Sequence, residues 1–241
     1  MAQESHLAIN WHCWVGRGST LTRRRDPSSI AGLPVLQKMV RMKRLFACLL
    51  LLIPIRVCHS AELMEGDLIF HESKSGQSKA VQAATGSKYS HMGMIVQRSG
   101  KPHVLEAAGT VTFTPLAQWI ARGKGGRYTV KRLKERAKVL TPEALAKASA
   151  MIKQLAGKPY DLTFEWSDDR IYCSELVWKI YDKAAGVQIG TLQKLKEFKL
   201  DAPEAQPMLK QRYGDNVPLE EPVISPVAMF NSPLLEVVEA K

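Results

Sequence analysis

Cysteine is scarce in this sequence. Four occur in 241 residues, at Cys13, Cys48, Cys58 and Cys173. No two are spaced as Cys-x-x-Cys, which argues against a zinc ribbon or a thioredoxin-type redox pair. There is no His-Glu-x-x-His, so a metalloprotease-type zinc site has no motif to stand on. No apolar run approaches the 18 or so residues that a bilayer-spanning helix takes; the run from Leu45 to Ile55 has eleven. Internal repeats and low-complexity segments are also lacking, which sets aside solenoids and fibrous chains. The hydrophobic fraction of 45% and charged fraction of 24% suit one globular domain with a tail, or at most two small domains.

Charge of one sign is in excess, but not where a nucleic-acid binder would need it. The formal net charge is +11, yet residues 1–60 hold nine of the 34 basic residues and only two of the 23 acidic ones. The remainder carries 25 basic against 21 acidic residues, about +4. That is an ordinary surface, and no nucleic-acid partner is expected.

The basic N-terminal excess has another reading. Met42 is followed by Lys43 and Arg44, the apolar run Leu45 to Ile55, and small residues Cys58 and Ser60 ahead of Ala61. This is the three-part pattern of a secretory signal peptide over residues 42–60. Residues 1–41 then read as a non-structural extension, either upstream of a true start at Met42 or a basic arm. The domain proper is expected over 61–241, periplasmic or secreted, with no integral membrane segment in the mature protein.

Within that domain the pattern is short strands and tight turns, followed by helices. Met64 to Phe70 reads as a turn and strand, Gln77 to Thr85 as a helix, and His91 to Val96 as a strand. After the turn Ser99-Gly100-Lys101-Pro102 come His103–Ala108 and Val111–Thr114 as further strands, a short helix opened by Pro115, and a strand over Arg127 to Leu133. Thr141-Pro142-Glu143 is a strong helix start, with Leu145, Ala148, Ile152 and Leu155 as the buried stripe and Gly157 as its stop. Residues 187–241 are proline-punctuated and are expected to wrap the core. The fold class is α+β, with a small antiparallel sheet.

Cys173 is the one cysteine beyond the first quarter of the chain. Ser167-Asp168-Asp169-Arg170 precede it as a loop; Leu176, Val177, Ile180, Tyr181 and Ala184 follow at helical spacing, and Gly186 closes the helix. Cys173 thus falls on a helical first turn, where free backbone N–H groups and the dipole favour a thiolate and could stabilise an oxyanion. The plain alternative is a small buried hydrophobe.

A cysteine nucleophile needs a base and an orienting group. His91 heads one strand and Glu106 lies on the next, and a turn near Gly100 brings positions 93–97 opposite 103–107. Cross-strand neighbours of that kind can bond His to Glu, fixing the tautomer and leaving the other nitrogen as base. Each has a dull alternative: a surface histidine, or an acid facing water on an edge strand. His71-Glu72 is a second His/Glu pair, and His103 a rival base. A metal site built from His71, His91, His103 and Glu106 is conceivable but has no supporting motif.

GDLIF (66–70), SKYSHMGMIV (87–96), VLEAAG (104–109), GKPYD (157–161) and YCSELVWK (172–179) closely resemble the YiiX/YebB-like branch of the NlpC-type cysteine hydrolases. The resemblance runs from about Gly66 to about Val227. It implies a circularly permuted papain-like fold, with the histidine strand ahead of the cysteine helix and that helix packed on a small antiparallel sheet. It implies Cys173 as nucleophile, His91 as base and Glu106 as acidic third member. Tyr172 and Tyr160 match positions near the site and are carried over as substrate-binding candidates. No cofactor and no metal are implied.

The expected activity is amide hydrolysis by a Cys-His-Glu triad, with cell-wall peptides or small amides as the substrate class. Two alternatives stay open. A lipid-acyl hydrolase or acyltransferase on the same fold would show a wide apolar groove beside Cys173, where a peptide site should have polar or charged walls. A non-catalytic envelope-binding module would not need the Cys/His/Glu set.

Overall fold

The structure, a computed structural model, describes residues 62–241. The proposed extension and signal peptide, residues 1–41 and 42–60, lie outside the described residues. Strands β1 (Leu68–His71), β2 (His91–Arg98), β3 (Lys101–Ala108), β4 (Thr110–Pro115) and β5 (Thr129–Leu133) are joined by β8 (Leu235–Ala240) in a six-stranded sheet. Its order is β4-β3-β2-β1-β5-β8, and every neighbouring pair is antiparallel. The short strands β6 (Gln193–Lys194) and β7 (Pro222–Val223) pair separately. The helices that matter here are α1 (Ser78–Thr85), α2 (Leu116–Ala121), α3 (Pro142–Leu155), α4 (Cys173–Ala185) and α5 (Gln206–Tyr213). The α+β class and antiparallel sheet expected from the sequence are both present.

Local chemistry sets most of these boundaries. The β2–β3 hairpin closes through Ser99 and Gly100, both with positive φ (50° and 70°), as a two-residue turn of mirror-image type requires. Arg98 therefore pairs with Lys101, and the ladder runs on through Val96–His103 to Met94–Leu105. Thr141 caps α3 by accepting the Ala144 N–H at 3.2 Å, with Pro142 at the first helical position. Its fully buried stripe is Ala144, Ala148, Ile152 and Leu155; Leu145, expected inside, is half-buried and Ala144 takes its place. Helix α4 ends at Gly186, whose left-handed backbone (φ 67°) lets its N–H return to the Asp182 carbonyl.

The sheet has a core on each face. Met92, Met94, Val96, Leu105 and Ala107 pack against α4 through Leu176, Val177, Ile180 and Tyr181. Each fully buried Leu or Ile there contributes about 2 kcal/mol of transfer free energy. The other face is smaller: Ile69, Ile95, Val104 and Val130 meet Trp119 of α2. Residues 187–241 do wrap the core, as expected, but their last strand also extends the main sheet, which the proline punctuation had obscured. Among the described residues no helix is long and apolar enough to cross a membrane.

Candidate active site

The side chains that matter meet where α4 begins and β2 begins. Cys173 is the first residue of α4, behind Tyr172 in an extended conformation. Glu175 accepts the Tyr172 N–H at 3.2 Å and ties off the helix start. Cys173 belongs to the core on the α4 face of the sheet. Glu106 faces the other way, toward Trp119, and His91 at the head of β2 bridges the two. Its Nε2 stands 2.6 Å from Glu106 Oε2, which leaves Nδ1 as the ring nitrogen available to Cys173.

Electrostatics follows from this geometry. Burial pushes the Cys173 thiol up, but the His91 charge and hydrogen bond, with the Met92 N–H, override it and hold the thiol below its ordinary value. Burial likewise disfavours charge on His91; the Cys173 sulfur and Glu106 outweigh it and hold the imidazole up to about 9. Both shifts run in the direction that favours a thiolate beside an imidazolium.

Glu106 is completely buried and has a full set of donors. Besides His91 it accepts from Trp119 Nε1 at 3.0 Å, from Thr114 Oγ1 and from Arg122 Nη2. Burial opposes its ionisation, but His91, Thr114 and Arg122 hold it down to about 2. The cost of a buried carboxylate is thus met by named partners. Thr114, Trp119 and Arg122 were not singled out from the sequence; the signal was the buried acid itself, which demanded donors without saying where they lie in the chain.

The other histidines fall out differently. His71 is the cross-strand partner of His91 and stacks on Trp119 with ring centroids 3.8 Å apart. Burial, then the charges of His91 and Arg122, hold it down to about 3, so it stays neutral. Glu72 turns outward to Lys124 at 2.8 Å. His103 bonds the Lys101 carbonyl at 3.0 Å on an exposed stretch. Among the described residues no group of three His, Cys, Asp or Glu is placed to hold a metal.

Both tyrosines border the cavity beside Cys173. The Tyr172 hydroxyl accepts the Ile224 N–H at 3.0 Å, and its ring meets Phe164 edge-on, so it builds the wall. The Tyr160 hydroxyl accepts from Gln77 Nε2 at 2.9 Å, leaving its own proton to be donated, and Gln77 is held in turn by Arg212 Nη2 at 2.8 Å. Burial, and then the charge on Cys173, push Tyr160 well above the ordinary phenol value. The cavity is narrow, about 90 Å³. Ala80, Ala84, Phe164, Phe198, Leu209 and Val223 give it apolar walls. Cys173 itself is only 4% exposed, so this cavity is its way in.

A helix-borne cysteine, a histidine on the preceding strand and a buried acid behind it define a cysteine hydrolase of permuted papain-like fold. The model of a family described as "Permuted papain-like amidase enzyme, YaeF/YiiX, C92 family" matches residues 62–239. The chain belongs to that family. It is 53% identical over 173 residues to "Uncharacterized protein YiiX" of Escherichia coli K12, covering 72% of this chain and 84% of that one. A solved structure from Escherichia coli O157:H7, described as metalloprotein yiiX, is 51% identical with a TM-score of 0.71. That match covers 75% of this chain and 99% of the other.

Proposed function

We infer that this chain is an exported cysteine amidase in which Cys173 is the nucleophile, His91 the general base and acid, and Glu106 the group that orients His91. The observation that carries the reading is the placement of Cys173 as the first residue of α4 beside His91, with Glu106 2.6 Å behind the imidazole; the shifts of Cys173 downward and His91 upward agree with it. The thiolate attacks the amide carbonyl. The developing oxyanion faces the first-turn N–H groups of α4 and the Tyr160 hydroxyl. His91 gives its proton to the nitrogen, the C–N bond breaks, and the amine leaves. Water then attacks the thioester, His91 takes its proton, and the acid departs as the thiolate returns. Glu106 stays ionised and holds the imidazole throughout.

The relative described as a metalloprotein raises the question of a metal. His91 Nε2 is occupied by Glu106; His71 Nδ1 is buried without a partner, but among the described residues no three His, Cys, Asp or Glu side chains come together to hold an ion. These residues do not fit a metal, and no step is routed through one.

The cavity walls favour a second reading of the substrate. A peptide site calls for polar or charged walls; this one is apolar. An amide with an apolar acyl part fits best, a class that takes in acyl-lipid amides and, among cell-wall peptides, those with apolar residues before the scissile bond. Acyl p-nitroanilides of increasing chain length test both points. Hydrolysis should rise with chain length and vanish in Cys173→Ala. Retained activity in that variant would sink the triad, and flat chain-length dependence would sink the acyl assignment.

Export rests on the Lys43-Arg44, Leu45–Ile55, Cys58/Ser60 pattern. N-terminal sequencing of cell-derived protein should begin near Ala61. A cytosolic protein beginning at Met1 would refute it.

A further inference from the structure

Two clefts meet at the Cys173–His91 pair, and they differ in kind. Cys173 borders the apolar cavity but not the second cleft, and His91 borders the second but not the first. Tyr160 is common to both. The His91 cleft is wide, about 810 Å³. Its charged walls are Lys74 and Arg122, and no carboxylate borders it. Lys74 Nζ donates to the Ala121 carbonyl at 3.2 Å, which fixes it next to Arg122. Arg122 reaches Glu106 with one Nη group while its side chain stays 46% exposed. Both cations lie close enough to His71 to help hold it neutral, after burial and His91.

Chemistry decides which part of a substrate occupies each cleft. The acyl group stays on sulfur, so it sits on the Cys173 side. The amine receives its proton from His91, so it leaves on the His91 side. Once the acyl-enzyme has formed, the thiolate is consumed and His91 has given up its proton. Lys74 and Arg122 then face Glu106 alone, and the cleft keeps one net positive charge. The geometry points to a leaving amine that carries an anionic group, a carboxylate or a phosphate, set against Lys74 and the outer edge of Arg122. This rests on the amidase reading above and deepens it by naming the leaving-group class.

The acyl-enzyme reports on this cleft directly, because an amine entering it retraces the path of a leaving amine. Cys173 is loaded from p-nitrophenyl octanoate, and the thioester is offered glycine, O-phosphoethanolamine or ethanolamine, amines of similar basicity. The nitrogen attacks the carbonyl, the C–S bond breaks, His91 takes the amine proton, and an octanoyl amide forms. One or both anionic amines should capture the acyl group about five to ten times faster than ethanolamine; which one does so separates carboxylate from phosphate. Added salt should weaken the preference, and Lys74→Gln should bring it near parity. Equal capture of all three, or a preference unchanged in Lys74→Gln, would overturn the assignment. Absence of a p-nitrophenol burst would instead overturn the cysteine-hydrolase reading itself.

Discussion

His91 Nε2 lies 2.6 Å from Glu106 Oε2 although the two residues do not face each other across the β2–β3 ladder. The ladder runs inward to Met94–Leu105. Glu106 therefore comes beside Gly93, and His91 is the diagonal neighbour two residues along. Gly93 is what leaves Glu106 free to lean across. A Cβ there would lie 2.4 Å from Val104 Cγ1, 2.6 Å from the Leu105 carbonyl oxygen and 3.4 Å from Glu106 Cβ.

Gly93→Ala should therefore cost both stability and activity. Backbone at Leu105 cannot yield without opening the ladder, so a loss of about 1–3 kcal/mol is expected, read from denaturant midpoints. Turnover per folded molecule should fall as well, because Val104 and Leu105, which must shift, immediately precede Glu106 on the same strand. A variant as stable and active as the parent would show that the diagonal pair does not depend on this glycine.

The thiol of Cys173 should titrate below the value of about 8.5 for a free cysteine. Iodoacetamide alkylation followed against pH measures this, and His91→Ala should move the titration upward, since burial then acts on the thiol without the imidazole to oppose it. The alkaline limb of kcat/KM should fall near pH 9, where the imidazolium loses the proton that the leaving amine needs. A thiol indifferent to His91 would make Cys173 a structural residue and move the binding-module alternative ahead.

Glu106→Gln should reduce kcat/KM on the order of a thousandfold, in line with loss of the orienting carboxylate from a catalytic triad. Trp119→Phe removes one donor to Glu106, at 3.0 Å, while keeping a ring against His71, and should cost about tenfold. Steady-state kinetics on the purified variants distinguish the two. Equal losses would mean that the tryptophan matters for more than its hydrogen bond.

Glu175 gives a stability signature with a definite sign. Burial raises its carboxyl from 4.5 to about 7 against the pull of Lys179. Between those values the folded protein holds a proton that the unfolded chain releases, so this residue makes stability fall as pH rises through that window. The gap between Glu175→Gln and the parent should widen there by on the order of 2 kcal/mol. The substitution keeps an acceptor for the Tyr172 N–H. A pH-independent gap would mean that Glu175 is ionised throughout.

What the sequence revealed and concealed divides by range along the chain. The Cys173 helix could be read because a loop, an apolar stripe and Gly186 are all local. The His91–Glu106 contact could be read in outline because a turn near Gly100 brings the two strands side by side, though the two-residue turn and exact register are set by the structure. The strand Leu235–Ala240 could not, since it pairs with β5 about a hundred residues away, and no local pattern carries that. The same holds for Arg122 and Trp119 on Glu106, for Gln77 on Tyr160, and for the apolar cavity. That cavity's walls come from α1, the stretch around Phe164, and residues 195–226, each unremarkable alone.

The order of these parts along the chain sets the order in which a growing polypeptide acquires them. The proposed base and acid, His91 and Glu106, are both present by Glu106; the proposed nucleophile is added 67 residues later, and Leu195 to Pro226 then close the wall of the apolar cavity. A ribosome-bound intermediate lacking the last 50 residues holds all three catalytic candidates but has nowhere to seat a substrate.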